Sequence, residues 1–129
     1  MNEETHGQLC EEILEYLALE HPNQLLRLML SPGIPISDLT FAAEIAGRIS
    51  DSKEVMPILL GLLQHPDPVV REGAIYGLAH HVDAAVIAEL QRLVTTDLSP
   101  AVRTAAYDLA HPAADHRLVA TDGEVPLQP

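Results

Sequence analysis

The sequence predicts an all-α protein, an α-solenoid of about three stacked helix pairs with a capping helix at the N-terminal end. Hydrophobic residues make up 47% of the chain, but aromatic residues make up only 3% and Trp is absent. The core must therefore consist of Leu, Ile, Val and Ala, of which Leu and Ala favour helix. Apolar residues recur at helical rather than strand spacing. Part of the sequence also repeats after 32 residues, which is typical of stacked repeat units.

The first predicted helix, over residues 5–21, would cap the stack. Thr5-His6-Gly7-Gln8 has the spacing of a capping box, whose first and fourth side chains bond backbone N–H groups at a helix start. An apolar stripe at i, i+3, i+4 and i+7 consists of Cys10, Ile13, Leu14 and Leu17. The opposite face carries Glu11, Glu12 and Glu15 and is a secondary acidic surface that could bind a partner.

Three helix pairs are predicted after the cap, which places the solenoid domain at residues 1–111. The pairs span residues 23–50, a degenerate repeat, and residues 52–81 and 83–111, two clearer repeats. Residues 112–129 contain Pro, Gly and scattered charges, and we expect a flexible tail there.

Capping residues and prolines predict where individual helices begin. Residues that accept backbone hydrogen bonds at helix starts precede four predicted helices, namely Ser37, Asp67, Asp83 and Ser99. Pro57 falls early within the helix predicted from Ser52, and it would remove one backbone hydrogen bond there. We therefore expect that helix to start late or to be kinked.

The internal repeat is most evident in the second helix of the last two pairs. The segment DPVVREGA at residues 67–74 aligns with SPAVRTAA at residues 99–106. A single helix pair cannot cover the resulting apolar stripe, so neighbouring pairs must stack. Arg71 and Arg103 occupy equivalent positions, and we expect each to pair with an acid of a turn, such as Asp67 or Asp97, and to link repeats. A role in ligand binding is the alternative.

These residues resemble the HEAT-repeat family, in the compact bacterial form shared with the lyase-like repeats. The resemblance covers residues 55–63, with the family's proline at Pro57, and continues through residues 66–74 and Gly77-Leu78-Ala79. It implies a solenoid that docks other proteins on the concave face lined by the second helices of the pairs.

The charge of the chain restricts its partners. Seven Lys and Arg residues oppose nineteen Asp and Glu residues, which gives a formal net charge of −12. That field repels nucleic acid, and no apolar run is long enough to span a membrane. The acid either keeps the protein in solution or attracts a basic protein partner. Cys10 is the only cysteine, and residues 1–4 lack the features of a signal peptide, so we expect a cytoplasmic protein.

The candidate binding strip follows from projecting the repeat onto helices. Val70, Ala74, Gly77 and Leu78 are expected to point inward, whereas Val69, Glu72, Gly73, Tyr76 and His80 point outward. Equivalent outward positions in the three pairs hold Glu44, Tyr76 and Asp108. The residues that flank them and complete the candidate site with His80 are Phe41, Arg48, Glu72, Thr104 and Tyr107. An aromatic ring between carboxylates could hold Arg or Lys side chains, or these residues could form a solvated face only.

No constellation for catalysis stands out. The chain has seven His residues, but none form an i, i+4 pair within a predicted helix, and the His-Glu dipeptides of the HEAT-like deoxyhypusine hydroxylases are absent. We therefore expect no metal, no cofactor and no enzymatic activity. The predicted function is that of a protein-binding module with an acidic concave face, for example a bacterial immunity or inhibitor protein that neutralises a toxin or enzyme. The alternative is a lyase-type or chaperone subunit that acts on a client or pigment protein.

Overall fold

The computed structural model describes residues 3–111, including the side chains of residues 11–51 and 53–111. All regular secondary structure in this part of the chain is α-helical, so the all-α prediction is confirmed. The helices are α1 (Glu3–Glu20), α2 (Pro22–Met29), α3 (Ile36–Ala46), α4 (Ser52–Leu62), α5 (Pro68–Leu78), α6 (Ala84–Thr96) and α7 (Pro100–Ala110). The predicted flexible tail, residues 112–129, and the side chain of Cys10 lie outside the described residues.

Three of the predicted helix starts are correct. The Asp67 carboxylate accepts a hydrogen bond from the Val69 N–H, Asp83 from the Val86 N–H, and the Ser99 hydroxyl from the Val102 N–H. Each bond satisfies a backbone donor that has no partner in the first helical turn.

Two other expectations about helix starts are wrong, and of the two alternatives for α4 the late start is wrong. The cap position of α3 is occupied by Pro35, so Ser37 lies inside the helix. Helix α4 does not start late, because the Asp51 carboxylate caps it by accepting from the Lys53 N–H and the helix continues through Pro57. Helix α1 begins at Glu3, ahead of the predicted capping box at Thr5.

The helices form two layers. Helices α1, α3, α5 and α7 pack against one another in sequence and form the second-helix layer, while α2, α4 and α6 pack against α3, α5 and α7 respectively. Helices α3, α5 and α7 begin at residues 36, 68 and 100 and each contain 11 residues. This stacking of helix pairs is the predicted α-solenoid.

The core is aliphatic and continuous from α1 to α7. Val70, Ala74, Gly77 and Leu78 are buried as predicted. Gly73 was expected to point outward, but it is buried against Thr40 of α3. In α1 the apolar stripe is shifted, since Leu14 and Ala18 are buried whereas Ile13 is exposed.

Helices α3 and α5 cross at very short range because their contact is built from glycine and alanine. A methyl group added at Gly77 would overlap the carbonyl of Ala43, and one added at Gly47 would overlap the backbone of Gly77. A methyl group at Gly73 would lie 2.9 Å from the Thr40 carbonyl oxygen. Larger side chains at these positions would force the two helices apart.

A nearly buried ion pair links the last two helix pairs. The Arg71 Nε donates to Asp97 Oδ2 at 2.9 Å and Nη2 donates to Oδ1 at 2.8 Å, with the two side chains 14% and 4% exposed. The predicted pairing of Arg71 is therefore confirmed. Arg103 also contacts Asp97, but it donates to the backbone carbonyl at 2.7 Å rather than to the carboxylate.

The electrostatics of Asp97 follow from this pair. Burial by itself raises the pKa of a carboxyl group. Hydrogen bonds from Arg71 and from the Ser99 N–H, together with the positive charges of Arg71 and Arg103, outweigh burial and hold the pKa of Asp97 below its usual value of 3.8.

Candidate functional site

An open groove between α5 and α7 brings several of the predicted strip residues together. Glu72 and Tyr76 line it from α5, and Thr104 and Asp108 line it from α7. Its volume is about 670 Å³. The remaining lining residues are apolar, namely Ile75, Ala79, Pro100, Ala101, Ala105 and Leu109. We call this feature the α5–α7 groove.

The groove exists because the α5–α7 crossing lacks the small residues of the α3–α5 crossing. With the shift of 32 residues between these helices, Ile75 takes the place of Ala43, and Leu109 takes the place of Gly77. At the same shift Ala105 replaces Gly73. The distance between packed helices depends on the side chains at their contact. The larger residues should therefore hold α5 and α7 farther apart, in agreement with the sparser backbone contact between these two helices than between α3 and α5. The space between the helices is left as the groove.

Tyr76 stands at the acidic edge of the groove. Its hydroxyl donates a hydrogen bond to Glu72 Oε2 at 2.8 Å, and the side chain is 47% exposed. This hydrogen bond, partial burial and the negative charges of Glu72, Glu44 and Asp108 together raise the pKa of Tyr76 above 10.0. The ring therefore lies among carboxylates from three helices, as the sequence pattern suggested it could.

Glu44 connects this edge with α3 and α1. Burial and the nearby charges of Glu11 and Glu72 raise its pKa above 4.5, and the positive charge of Arg48 opposes them. The carboxylates of Glu11, Glu44, Glu72 and Asp108 thus follow one another across the second-helix layer, from α1 to α7. We call these four residues the acidic band.

The two surfaces that the sequence suggested are contiguous at this point. Glu11 belongs to the first-helix surface, yet its charge acts on Glu44. Arg48 Nη1 donates to Glu15 Oε2 at 3.3 Å, which joins α1 to the end of α3 through exposed side chains. Glu12 is exposed on the same helix.

Five residues of the predicted strip do not line the groove, namely Glu44, described above, and Phe41, Arg48, His80 and Tyr107. Phe41 and His80 are exposed, and Arg48 is exposed beside Glu15. Tyr107 is 50% exposed and its ring stacks on His111 with a centroid distance of 4.1 Å. Tyr107 occupies the same helical position in α7 as Ile75 in α5, so it belongs to the side of α7 that faces away from α5.

Sequence reasoning missed the apolar part of the groove. Ile75, Ala101 and Leu109 were not singled out, because each is an ordinary apolar residue of a helix. A signal was nevertheless present, since the glycines at 73 and 77 become Ala105 and Leu109 in the next repeat. Comparing repeats for residue size would have indicated a wider helix crossing.

The part of the chain that the structure describes contains neither a grouping of metal ligands nor a helix that could span a membrane. No three His, Cys, Asp or Glu side chains among these residues are grouped so that they could hold a metal ion. Within residues 3–111, every helix is too short or too polar to cross a membrane.

The stacked helix pairs, their common spacing and the open second-helix layer define a helical-repeat solenoid. Residues 39–110, more than half of the chain, match the family model of HEAT repeats, and the chain belongs to the HEAT-repeat family. No curated protein and no solved structure matches it. HEAT repeats generally mediate protein–protein interactions and typically form non-catalytic scaffolds.

Proposed function

We propose that this chain is a non-catalytic module that binds a basic partner protein on its second-helix layer through the acidic band. The observation that carries the proposal is the succession of neighbouring charges along the band, in which Glu11 and Glu72 act on Glu44, and Glu72, Glu44 and Asp108 act on Tyr76. In solenoids this layer is the concave docking surface.

The energetics of the band favour a cationic partner. Mutual repulsion and burial disfavour the charged form of Glu44 in the free protein. A Lys or Arg side chain placed among these carboxylates would relieve the repulsion, and the exposed ring of Tyr76 could add a cation–π contact. The net charge of −12 would also accelerate the encounter with a basic protein at low salt.

Within this class we favour a small bacterial immunity or inhibitor protein that neutralises a toxin or enzyme by covering it. A chain of 129 residues with a strongly acidic surface and an interaction scaffold suits that role. The role depends on the partner being basic, which the following experiment tests.

The test is affinity capture from native lysate with three versions of the full chain, followed by quantitative mass spectrometry. The band variant combines Glu44→Gln, Glu72→Gln and Asp108→Asn. The control variant removes the same number of charges elsewhere, by Glu20→Gln, Glu54→Gln and Glu89→Gln, and circular dichroism verifies that both fold. We expect a basic protein that the wild type and control retain and that the band variant and high salt release. A partner that all three versions retain equally would refute the proposal.

One observation favours the second candidate, a lyase-type or chaperone subunit acting on a client or pigment protein. The α5–α7 groove is largely apolar, and its volume of about 670 Å³ falls in the range of small-molecule sites. A pigment or other small ligand that copurifies with the protein, and that is lost when the groove is filled by Ala101→Leu, would favour this candidate over the first.

A further inference from the structure

The α5–α7 groove has an apolar floor that the acidic band does not explain. Ile75 and Leu109 lie where the preceding crossing has Ala43 and Gly77, and Ala101 is exposed on the α7 side. The acids stand at the edges, with Glu72 on α5 and Asp108 on α7. A partner that filled this groove would need both an apolar group and positive charge beside it.

We propose that the groove receives one aliphatic side chain of a partner protein segment that carries Lys or Arg on both sides of this anchor. The proposal rests on the proposed function and narrows it, because it names the kind of segment that binds. The anchor would lie on Ala101 and Leu109, above the buried Ile75, and the cations would pair with Glu72 and Asp108.

Charge complementarity excludes the other occupants that an apolar groove could take. A second copy of this chain carries a net charge of −12 and would bring acids against acids. An uncharged lipid or peptide would cover Glu72 and Asp108 without supplying positive charge, and for Glu72 the neutral Tyr76 hydroxyl would be its hydrogen-bond donor, which makes this burial costly. A segment with Lys or Arg beside its anchor supplies an apolar contact for the floor of the groove and positive charges for the acids at its edges.

The test uses fluorescein-labelled, alanine-based helical peptides with the full-length protein. The parent peptide carries one Leu with an Arg one helical turn away on either side. In one matched peptide Ser replaces the Leu, and in another Glu replaces both Arg residues. Fluorescence anisotropy gives the affinities, and methyl NMR of Ile75, Ala101 and Leu109 locates the contact.

Three protein variants separate the groove from the charges. Ala101→Leu fills the groove from an exposed helical position, and Ala88→Leu makes the same change on the exposed face of α6. Glu72→Gln with Asp108→Asn removes the charges at the edges. Circular dichroism verifies that all of these variants fold as the wild type does.

We expect the parent peptide to bind about tenfold more tightly than the Ser peptide, since one apolar side chain in a fitting site contributes on this order. Ala101→Leu should abolish that difference, Ala88→Leu should preserve it, and methyl shifts should be confined to the groove. The Glu peptide should not bind.

The outcomes distinguish the two proposals. If the parent and Ser peptides bind with equal affinity, and only the changes at Glu72 and Asp108 weaken their binding, the groove proposal is overturned. The proposal that the acidic band binds a basic partner is then supported. If the Glu peptide binds as tightly as the parent, or if millimolar parent peptide moves no methyl signal, both are overturned. Methyl shifts on dilution of the protein alone would assign the groove to a second copy and also overturn the groove proposal.

Discussion

The α3–α5 crossing makes Gly77→Ala the most informative stability test. An added methyl group would overlap the Ala43 carbonyl, and because that contact is with backbone, no side-chain rotation can relieve it. Alanine gains about 1 kcal/mol over glycine in a helix interior, whereas overpacking of a tight core costs about 1–3 kcal/mol and occasionally more. Since the overlap is with the main chain of α3, we expect the upper part of that range and a net loss of about 2 kcal/mol.

Gly61→Ala is the matched control. Gly61 lies in the same kind of helix, but an added methyl group would meet nothing within 4 Å. The change should therefore express the helix propensity alone and raise the free energy of unfolding by up to about 1 kcal/mol.

Urea unfolding followed by circular dichroism gives both free energies, and thermal melts provide a second measure. A change of 1 kcal/mol moves the melting temperature of a domain of this size by about 4 °C. The two variants should shift it in opposite directions. If Gly77→Ala stabilised the protein as much as Gly61→Ala does, the close crossing of α3 and α5 would be wrong, and with it the explanation of the groove.

Three further predictions concern the core and the charged groups. Leu78→Ala removes a fully buried side chain and should cost about 2–5 kcal/mol in urea unfolding; an unchanged midpoint would contradict its place in the core. Asp97→Asn should cost about 1–3 kcal/mol at pH 7, because it weakens the bonds to Arg71. Since the pKa of Asp97 is lowered from 3.8 in the folded protein, its contribution is present above that pH and is lost as the pH falls through the folded pKa. The difference between wild type and variant should therefore shrink on acidification, and a constant difference would refute the electrostatic cause. Glu44 has the opposite effect on stability. Because its pKa is raised in the folded protein, its ionised form destabilises the fold above that pKa, and this effect is absent below pH 4.5. Glu44→Gln should accordingly raise the melting temperature at pH 7 and not at pH 4, and a gain at both values would point to a cause other than charge.

Local sequence signals predicted much of the fold because their physics is local. Asp67, Asp83 and Ser99 cap helices with side chains that reach only two or three residues along the chain. The pairing of Arg71 with Asp97 spans 26 residues. The repeat pointed to it, since Arg71 and Arg103 occupy equivalent positions near turns that contain Asp67 and Asp97.

Features that depend on the distance between helices could not be predicted in the same way. Gly73 has no side chain, so helical periodicity assigned it to the outer face by angle alone, and its burial is due to the close approach of Thr40. The Ser37 cap failed because Pro35 already occupies the cap position of α3 and the helix begins one residue before Ser37. The groove was missed because it depends on the distance between α5 and α7, and the sequence pattern of a single helix does not indicate that distance.

The regular repeats of this solenoid produce its stack of helices, and one departure from the repeat pattern produces the α5–α7 groove. Where the α3–α5 crossing has Gly77 and Ala43, the α5–α7 crossing has the larger residues Leu109 and Ile75, and the groove lies at this second crossing. Arg71 of α5 also donates two charge-assisted hydrogen bonds to Asp97, which lies in the turn before α7. Both side chains are largely shielded from solvent. Apolar side chains thus lie between the two helices, an ion pair links α5 to the turn before α7, and the groove is present in the protein without a partner. A recess that is already formed avoids the cost of ordering on binding, so even a short segment with one anchor and two cations could bind there specifically.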